Sequence, residues 1–261
     1  NGLMISLEVT GIDGVTSGSS AITALRAGFA HLLDTLDERF SFYLHRMMRP
    51  AQTQLKPIHG QSFAADIDRA WGSELQRRNL QESVLILTVV RRQVAPLAVP
   101  LFGKAAAKVW GEDTDRRLEE LREVVSILET GLGVKSHRLK ISDGSLIGFY
   151  ASLQTGELRA KSRSPFGIIA EDASDAAIHF GKGQFTVEEG ADTPRVGAVL
   201  YVKSYATSTW PGMLDALGAS RDTIITHSYT PIERGGITER VKRRVAQMRA
   251  SEDIAATIEA Q

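Results

Sequence analysis

The stretch 195–229, RVGAVLYVKSYATSTWPGMLDALGASRDTIITHSY, sets the expected fold class. Val196, Ala198, Leu200 and Val202 share one face and Val199 and Tyr201 the other, the pattern of a strand covered on both sides. Pro211 to Leu217 supplies one or two helical turns, and Thr223 to Tyr229 is extended again. Strand, helix, strand in that order predicts a buried βαβ unit. Such units serve many unrelated functions, so the stretch speaks to architecture and leaves chemistry open.

Toward the N-terminus the same alternation of strand and helix recurs. Leu3, Ile5, Leu7 and Val9 lie on one face and Ser6, Glu8 and Thr10 on the other, a half-buried strand. The loop GIDGVTSGSS lacks the lysine of a phosphate-binding P-loop and reads as a connector ending in a serine N-cap. Ile22, Leu25, Phe29, Leu32 and Leu36 then fall at helical spacing. RFSFYLHRMM (39–48) reads as an aromatic-rich strand closed by Arg49 and Pro50. A second helix starts near Ser62, with Phe63, Ile67, Trp71 and Leu75 at steps of four. Ser83 to Val90 is apolar almost throughout, a strand covered on both faces.

The middle of the chain is built around one long helix. QVAPLAVPLFG (93–103) holds Pro96 and Pro100 and cannot be regular helix; it fits either a packed intrachain loop or a contact with another subunit. Lys104 to Thr130 follows, with Leu118, Leu121, Val125, Leu128 and Leu132 spaced by three and four. This seam suits a coiled-coil pair or an arm folded on its own sheet. Gly131 and Gly133 stop it. Val134 to Ile141 is a further strand, and Ser142, Asp143 and Gly144 turn into a short helix bearing Leu146, Ile147, Tyr150 and Leu153. TGELRAKSRSP (155–165) reads as an exposed loop and carries the best local cationic patch, Arg159, Lys161 and Arg163. Ala176 to Val187 forms a hairpin about Gly181 to Gly183. A terminal helix carries Ile237, Val241, Val245 and Met248 on one face and Arg240, Lys242, Arg243, Arg244 and Arg249 around the rest.

Composition excludes several function classes. At 43% hydrophobic residues, 261 residues suffice for one large core or two small ones. The 31 basic residues balance 31 acidic ones, so no overall field attracts a polyanion or a membrane, and nucleic-acid binding would need a local patch. Cysteine is absent, which removes disulfides, thiolate metal sites and cysteine nucleophiles. No apolar run approaches the roughly 18 to 20 residues of a membrane helix. No leader pattern opens the chain, and its start at Asn1 in strand-like sequence predicts a fragment of a longer protein.

No stretch marks an active site. The six histidines are scattered without metal-ligand spacing, no GxSxG elbow occurs, and the acidic pairs Glu171-Asp172 and Glu188-Glu189 are expected on turns. Catalytic, cofactor-binding and metal residues are therefore predicted to be none. A site assembled from dispersed residues such as His45, His179 and Glu171 is the enzymatic rival.

Several of these stretches together resemble the N-terminal region of the conjugative-transfer ATPases of type IV secretion systems, the CagE/TrbE/VirB family. The resemblance lies in the opening strand and helix, in SFYLHRMMRP, and in FAADIDRAWGSELQRRNLQESVLILTVV. It continues through VGAVLYVKSYATSTWPGMLDAL, with Val202-Lys203-Ser204-Tyr205 and Pro211-Gly212-Met213-Leu214 the most specific words, then THSYTPIER and VAQMRASEDIAATIEAQ, all in family order. It covers nearly the whole chain, although each motif is a packing pattern and not a catalytic signature.

The resemblance implies an α/β (α+β) fold, and the expected architecture is two successive ferredoxin-like or split βαβ lobes, 1–142 and 143–261, with a long helix between strands and a C-terminal helix. It implies a RecA-like motor domain beyond this region, with Walker A and B sequences binding ATP and magnesium; neither motif occurs in this chain. The region would dock the motor at the cytoplasmic face of a bacterial inner membrane, contact other subunits of the secretion complex, and help hexamers assemble. Trp110, Trp210, Pro96 and Pro100 are the candidate interface residues, with core packing the alternative for both tryptophans. The competing function is a nucleic-acid-binding or scaffold module without enzymatic activity, acting through Arg159, Lys161 and Arg163.

Overall fold

The computed structural model describes residues 2–12, 16–50, 63–78, 80–93, 104–156, 158–164, 168–174, 176–188, 194–202 and 223–231, with isolated positions at 208, 210, 213, 238, 242–243 and 245–247. The elements are β1 Gly2–Val9, α1 Ser19–Thr35, β2 Phe40–Pro50, α2 Phe63–Arg77, β3 Gln81–Arg92, α3 Lys104–Gly131, β4 Ser136–Arg138, α4 Ser145–Thr155, α5 Ile169–Ala173, β5 Ala177–Phe180, β6 Phe185–Glu188, β7 Arg195–Gly197 and β8 Ile224–Tyr229. They form a mixed α+β fold with two antiparallel sheets, β4-β1-β3-β2-β8 and β5-β6-β7.

The first four strands stand in the 4-1-3-2 order of a ferredoxin-like sheet, with α2 inserted where β2 and β3 would otherwise join by a hairpin. The register aligns Leu7 with Leu87 and Leu44, and Ile5 with Val89 and Phe42, so the apolar sets of three strands fall on one face. That face is closed by α1 and α3: Leu32, Leu121, Val124, Val125 and Leu128 pack on Leu7, Phe40, Phe42, Leu87 and Val89. The long helix is thus an arm laid on its own sheet, and its leucine seam meets strands. Each fully buried side chain of this kind stabilises by roughly 1.5–3 kcal/mol before entropy is counted. Arg91, buried on the same face, survives there because Glu120 of α3 accepts from its Nε at 2.7 Å and the Phe40 ring lies 5.5 Å beneath its guanidinium.

The opposite face is covered by α4. Phe149 is fully buried among Met47, Val84, Ile86 and Leu139, with Ile224 of β8 at the margin. Two elements beyond residue 142 therefore belong to the first sheet, α4 as its cover and β8 as its edge beside β2. The expected lobe boundary divides the sequence there, but the core runs across it.

Three expectations need correction. The buried βαβ unit of 195–229 does not form: β7 pairs antiparallel with β6 and β8 joins the other sheet, so the two strands are not neighbours. Residues 198–202 extend past the start of β6 and find no ladder, which leaves Val199 80% and Leu200 91% exposed. Pro211–Leu217 falls almost entirely outside the described residues. The predicted serine cap of α1 is Gly18, with no side-chain hydrogen bond. The segment after α4 is not a free loop. Gly144 has φ +76°, and a Cβ on Gly148 would stand 1.8 Å from the Arg159 carbonyl, so residues 159–161 lie directly on the glycine side of α4. Lys161 N–H donates to the Gly144 carbonyl at 3.0 Å.

The hairpin about Gly181 to Gly183 forms as expected, with Gly183 at φ +81°. Its sheet is a three-strand meander in which Val187 is the buried apolar residue. The Phe185 ring fills the space over Gly197, where a Cβ would come within 2.5 Å of it.

Candidate functional site

The best-built polar feature is a seam between β1, β3 and α4. Ser6 Oγ lies 2.8 Å from Thr88 Oγ1 and 3.1 Å from Tyr150 Oη, and the tyrosine hydroxyl lies 3.1 Å from Met4 Sδ. Small hydroxyls at Ser6 and Thr88 leave room for the tyrosine to reach into the sheet, and each polar atom finds its partner in the seam. Nearby, buried His45 places Nδ1 3.0 Å from Thr226 Oγ1 of β8, and its ring meets Phe149 edge to face. Burial holds the imidazole pKa below its usual value, so His45 is neutral at physiological pH. These groups weld α4 and β8 to the sheet. They are satisfied by one another, and the arrangement supplies no nucleophile, no carboxylate pair and no acid-base couple aimed at a common point.

The rival constellation is not assembled on one element. His45 lies in the first sheet, His179 in β5 of the second, and Glu171 on α5. His179 Nε2 instead lies 3.5 Å from Glu188. Glu171 and Asp172 occupy a one-turn helix and not a turn, and Asp172 Oδ2 accepts from the Ser164 N–H at 3.0 Å, tying down the end of the basic segment. Among the described residues, no group of three or more His, Asp or Glu is placed to hold a metal ion. Arg159 and Arg163 are exposed and Lys161 half-buried on the segment docked against α4.

Of the predicted interface residues, Trp210 is exposed. Trp110 lies on α3 with its side chain outside the described residues, and Pro96 and Pro100 lie outside them altogether. The structure adds two exposed apolar surfaces, the first of them in the stretch expected to form a buried unit. One is the run Val196 to Val202 just described. The other is α2, which turns Phe63, Ile67 and Trp71 outward and sets the small side of the helix, where Ala65 is buried, toward the protein. The steps of four were visible in sequence, but they read equally as an inward face. The signal for the opposite orientation was Ala65, a small residue on the side of the helix away from Phe63 and Ile67. Among the described residues, no helix is long and apolar enough to cross a membrane.

Comparison with known proteins is concordant along the chain. Residues 1–97 match the N-terminal domain of the type IV secretion system ATPase VirB4/TrbE. Residues 133–260 match the CagE, TrbE, VirB family, described as a component of the type IV transporter system. No curated protein matches the chain.

Proposed function

The chain belongs to the CagE/TrbE/VirB family of type IV secretion ATPase components, and from that premise we propose that it is the docking and oligomerisation region of such an ATPase. The parent protein, in this reading, hydrolyses ATP with magnesium in a motor domain and drives conjugative or secretory transfer. This region holds the motor at the cytoplasmic face of the inner membrane, against other subunits of the secretion complex, in a hexameric assembly. The observation that supports it best is the distribution of apolar surface. The polar groups of the first sheet are spent on internal packing, whereas large apolar side chains stand outward on α2 and on residues 196–202.

The test is titration of the chain with the detergent-solubilised inner-membrane subunits of its own secretion system. A stoichiometric complex insensitive to salt is expected, weakened at least ten-fold by Leu200→Asp. The basic segment favours the second reading, nucleic-acid binding. DNA binding whose affinity falls steeply with salt, and which is lost in an Arg159, Lys161 and Arg163 triple alanine variant, would replace docking by that function.

A further inference from the structure

We propose that Arg92, Ser41 and Thr230 form a binding site for a phosphate group, at the end of the first sheet where cover by α4 thins out. The site stands on its own geometry and holds whether or not the docking reading does. Ser41, Tyr43 and Arg92 fall in step with Met47 and Thr88 along their strands, so they lie on the α4 side of the sheet. At this end Tyr150 Oη still touches Met4 Sδ, yet Met4 is 52% and Tyr43 36% exposed. Opposite Arg92 on β1 stands Gly2, which has no side chain to shield the guanidinium.

The cation is fixed in place by hydroxyls and not by a carboxylate. Arg92 Nε donates to Ser41 Oγ at 2.7 Å, and its Nη2 donates at 2.9 Å to Oγ1 of Thr230, the residue after β8. Ser41 is 1% exposed, so the guanidinium is tied to a buried anchor. The arginines beside it in sequence and across the ladder are held differently: Arg91 pairs with Glu120, and Arg39 with Asp37 and Glu120. Among the described residues, Arg92 has no such carboxylate partner.

Four donors remain there for a ligand. Arginine carries five N–H groups, of which the two hydroxyls take one from Nε and one from Nη2, leaving both on Nη1 and one on Nη2. The fourth is a hydroxyl proton. Ser41 Oγ and Thr230 Oγ1 both accept from Arg92 and lie 3.3 Å apart, so one donates to the other and one proton is left over. An unmet donor is costly where it is buried, and Thr230 is the exposed member, so Ser41 donates to Thr230 and the spare proton belongs to Thr230. In this Arg92 departs from the seam of Ser6, Thr88 and Tyr150, whose polar atoms meet one another.

The complementary ligand is an anion with several acceptor oxygens. The fork of Nη1 and Nη2 takes two of them, and the Thr230 hydroxyl takes a third, which a phosphate group supplies and a carboxylate does not. Because Ser41 and Thr230 already hold the arginine, binding freezes little further rotamer freedom.

The test is titration of the 261-residue chain with inorganic phosphate at fixed ionic strength, following Arg92 Nε–Hε and the Thr230 amide by NMR. Saturable shifts are expected at both, with a Kd of about 1–10 mM. Arg92→Gln should weaken the response at Thr230 at least ten-fold, and Thr230→Val the response at Arg92 by about three-fold. Arg92→Lys, which keeps the charge and loses the fork, should also bind at least three-fold more weakly, and it carries the test if Arg92→Gln disturbs the fold. Arg39→Gln should leave both responses unchanged. Flotation with vesicles of phosphatidic acid in phosphatidylcholine separates the sources of such a group: flotation lost in Arg92→Gln assigns it to a lipid headgroup, and phosphate binding without flotation to a soluble phosphate. Absence of a saturable shift, a Thr230 response that survives Arg92→Gln, or an equal response to acetate or chloride would overturn the site.

Discussion

The two sheets use similar strands and bury them to opposite extents. β3 and the run Val196 to Val202 are both nearly continuous apolar sequence, yet Ile86, Leu87 and Val89 are buried while Val199, Leu200 and Tyr201 stand in solvent. The difference is the neighbours. β3 lies between β1 and β2 with α1 and α3 on one face and α4 on the other, whereas β7 is the edge of a three-strand meander and its continuation outruns β6. An apolar run therefore reports a demand for cover, and topology decides whether the cover comes from the same chain or from another.

The contrast breaks most visibly at Phe149. Its replacement by alanine leaves a cavity between α4 and the sheet and should cost about 3–5 kcal/mol in chemical unfolding, whereas Leu200→Ser should change stability by less than about 0.5 kcal/mol. Equal effects would mean that the two regions are packed alike. The next largest effect falls on Arg91: Glu120→Ala strands a buried guanidinium and should destabilise by about 3 kcal/mol, and the loss should be smaller when Arg91 is replaced by methionine in the same chain. Additive effects of the two substitutions would show that the pair does not act as one unit.

Gly148→Ala sharpens a finer point. A methyl group there meets the Arg159 carbonyl, so the segment 159–161 must shift, with an expected cost of about 1–3 kcal/mol. Rapid amide exchange at Lys161, whose N–H donates to Gly144, should accompany it. An unchanged exchange rate would release this segment from α4.

How far these features could be read beforehand follows from the range of the interactions. The strands of the first sheet, the long helix and the glycine hairpin rest on local periodicity and turn chemistry, and all were legible. The joining of β8 to β2 and of α4 to the sheet depends on contacts between residues more than 60 positions apart, such as Met47 with Phe149, for which a single sequence holds no local sign. The outward ridge of α2 was legible as a stripe and illegible in direction. The seam of Ser6, Thr88 and Tyr150 was illegible for the same reason, since its hydroxyls meet across 82 and 144 positions of sequence.

The smallest effect is a pH dependence. His45 is held neutral by burial, so the unfolded chain binds the proton more readily than the folded one. Its contribution to stability should be complete above about pH 6.5 and be lost as pH falls from there through the lower folded pKa. His45→Phe should flatten the stability profile in that window, read by urea unfolding at several pH values. An unchanged slope would assign the dependence to another group.

The central claim is that this region exists to be covered by partners at surfaces its own core leaves open. Hydrogen-deuterium exchange of the chain, alone and with the inner-membrane subunits of its secretion system, tests that most directly. The account predicts slow exchange in β1, β2 and β3 in both states, fast exchange at 198–202 alone, and marked protection of 198–202 in the complex. Protection unchanged at 198–202 while the subunits bind elsewhere, or no binding at all, would contradict it.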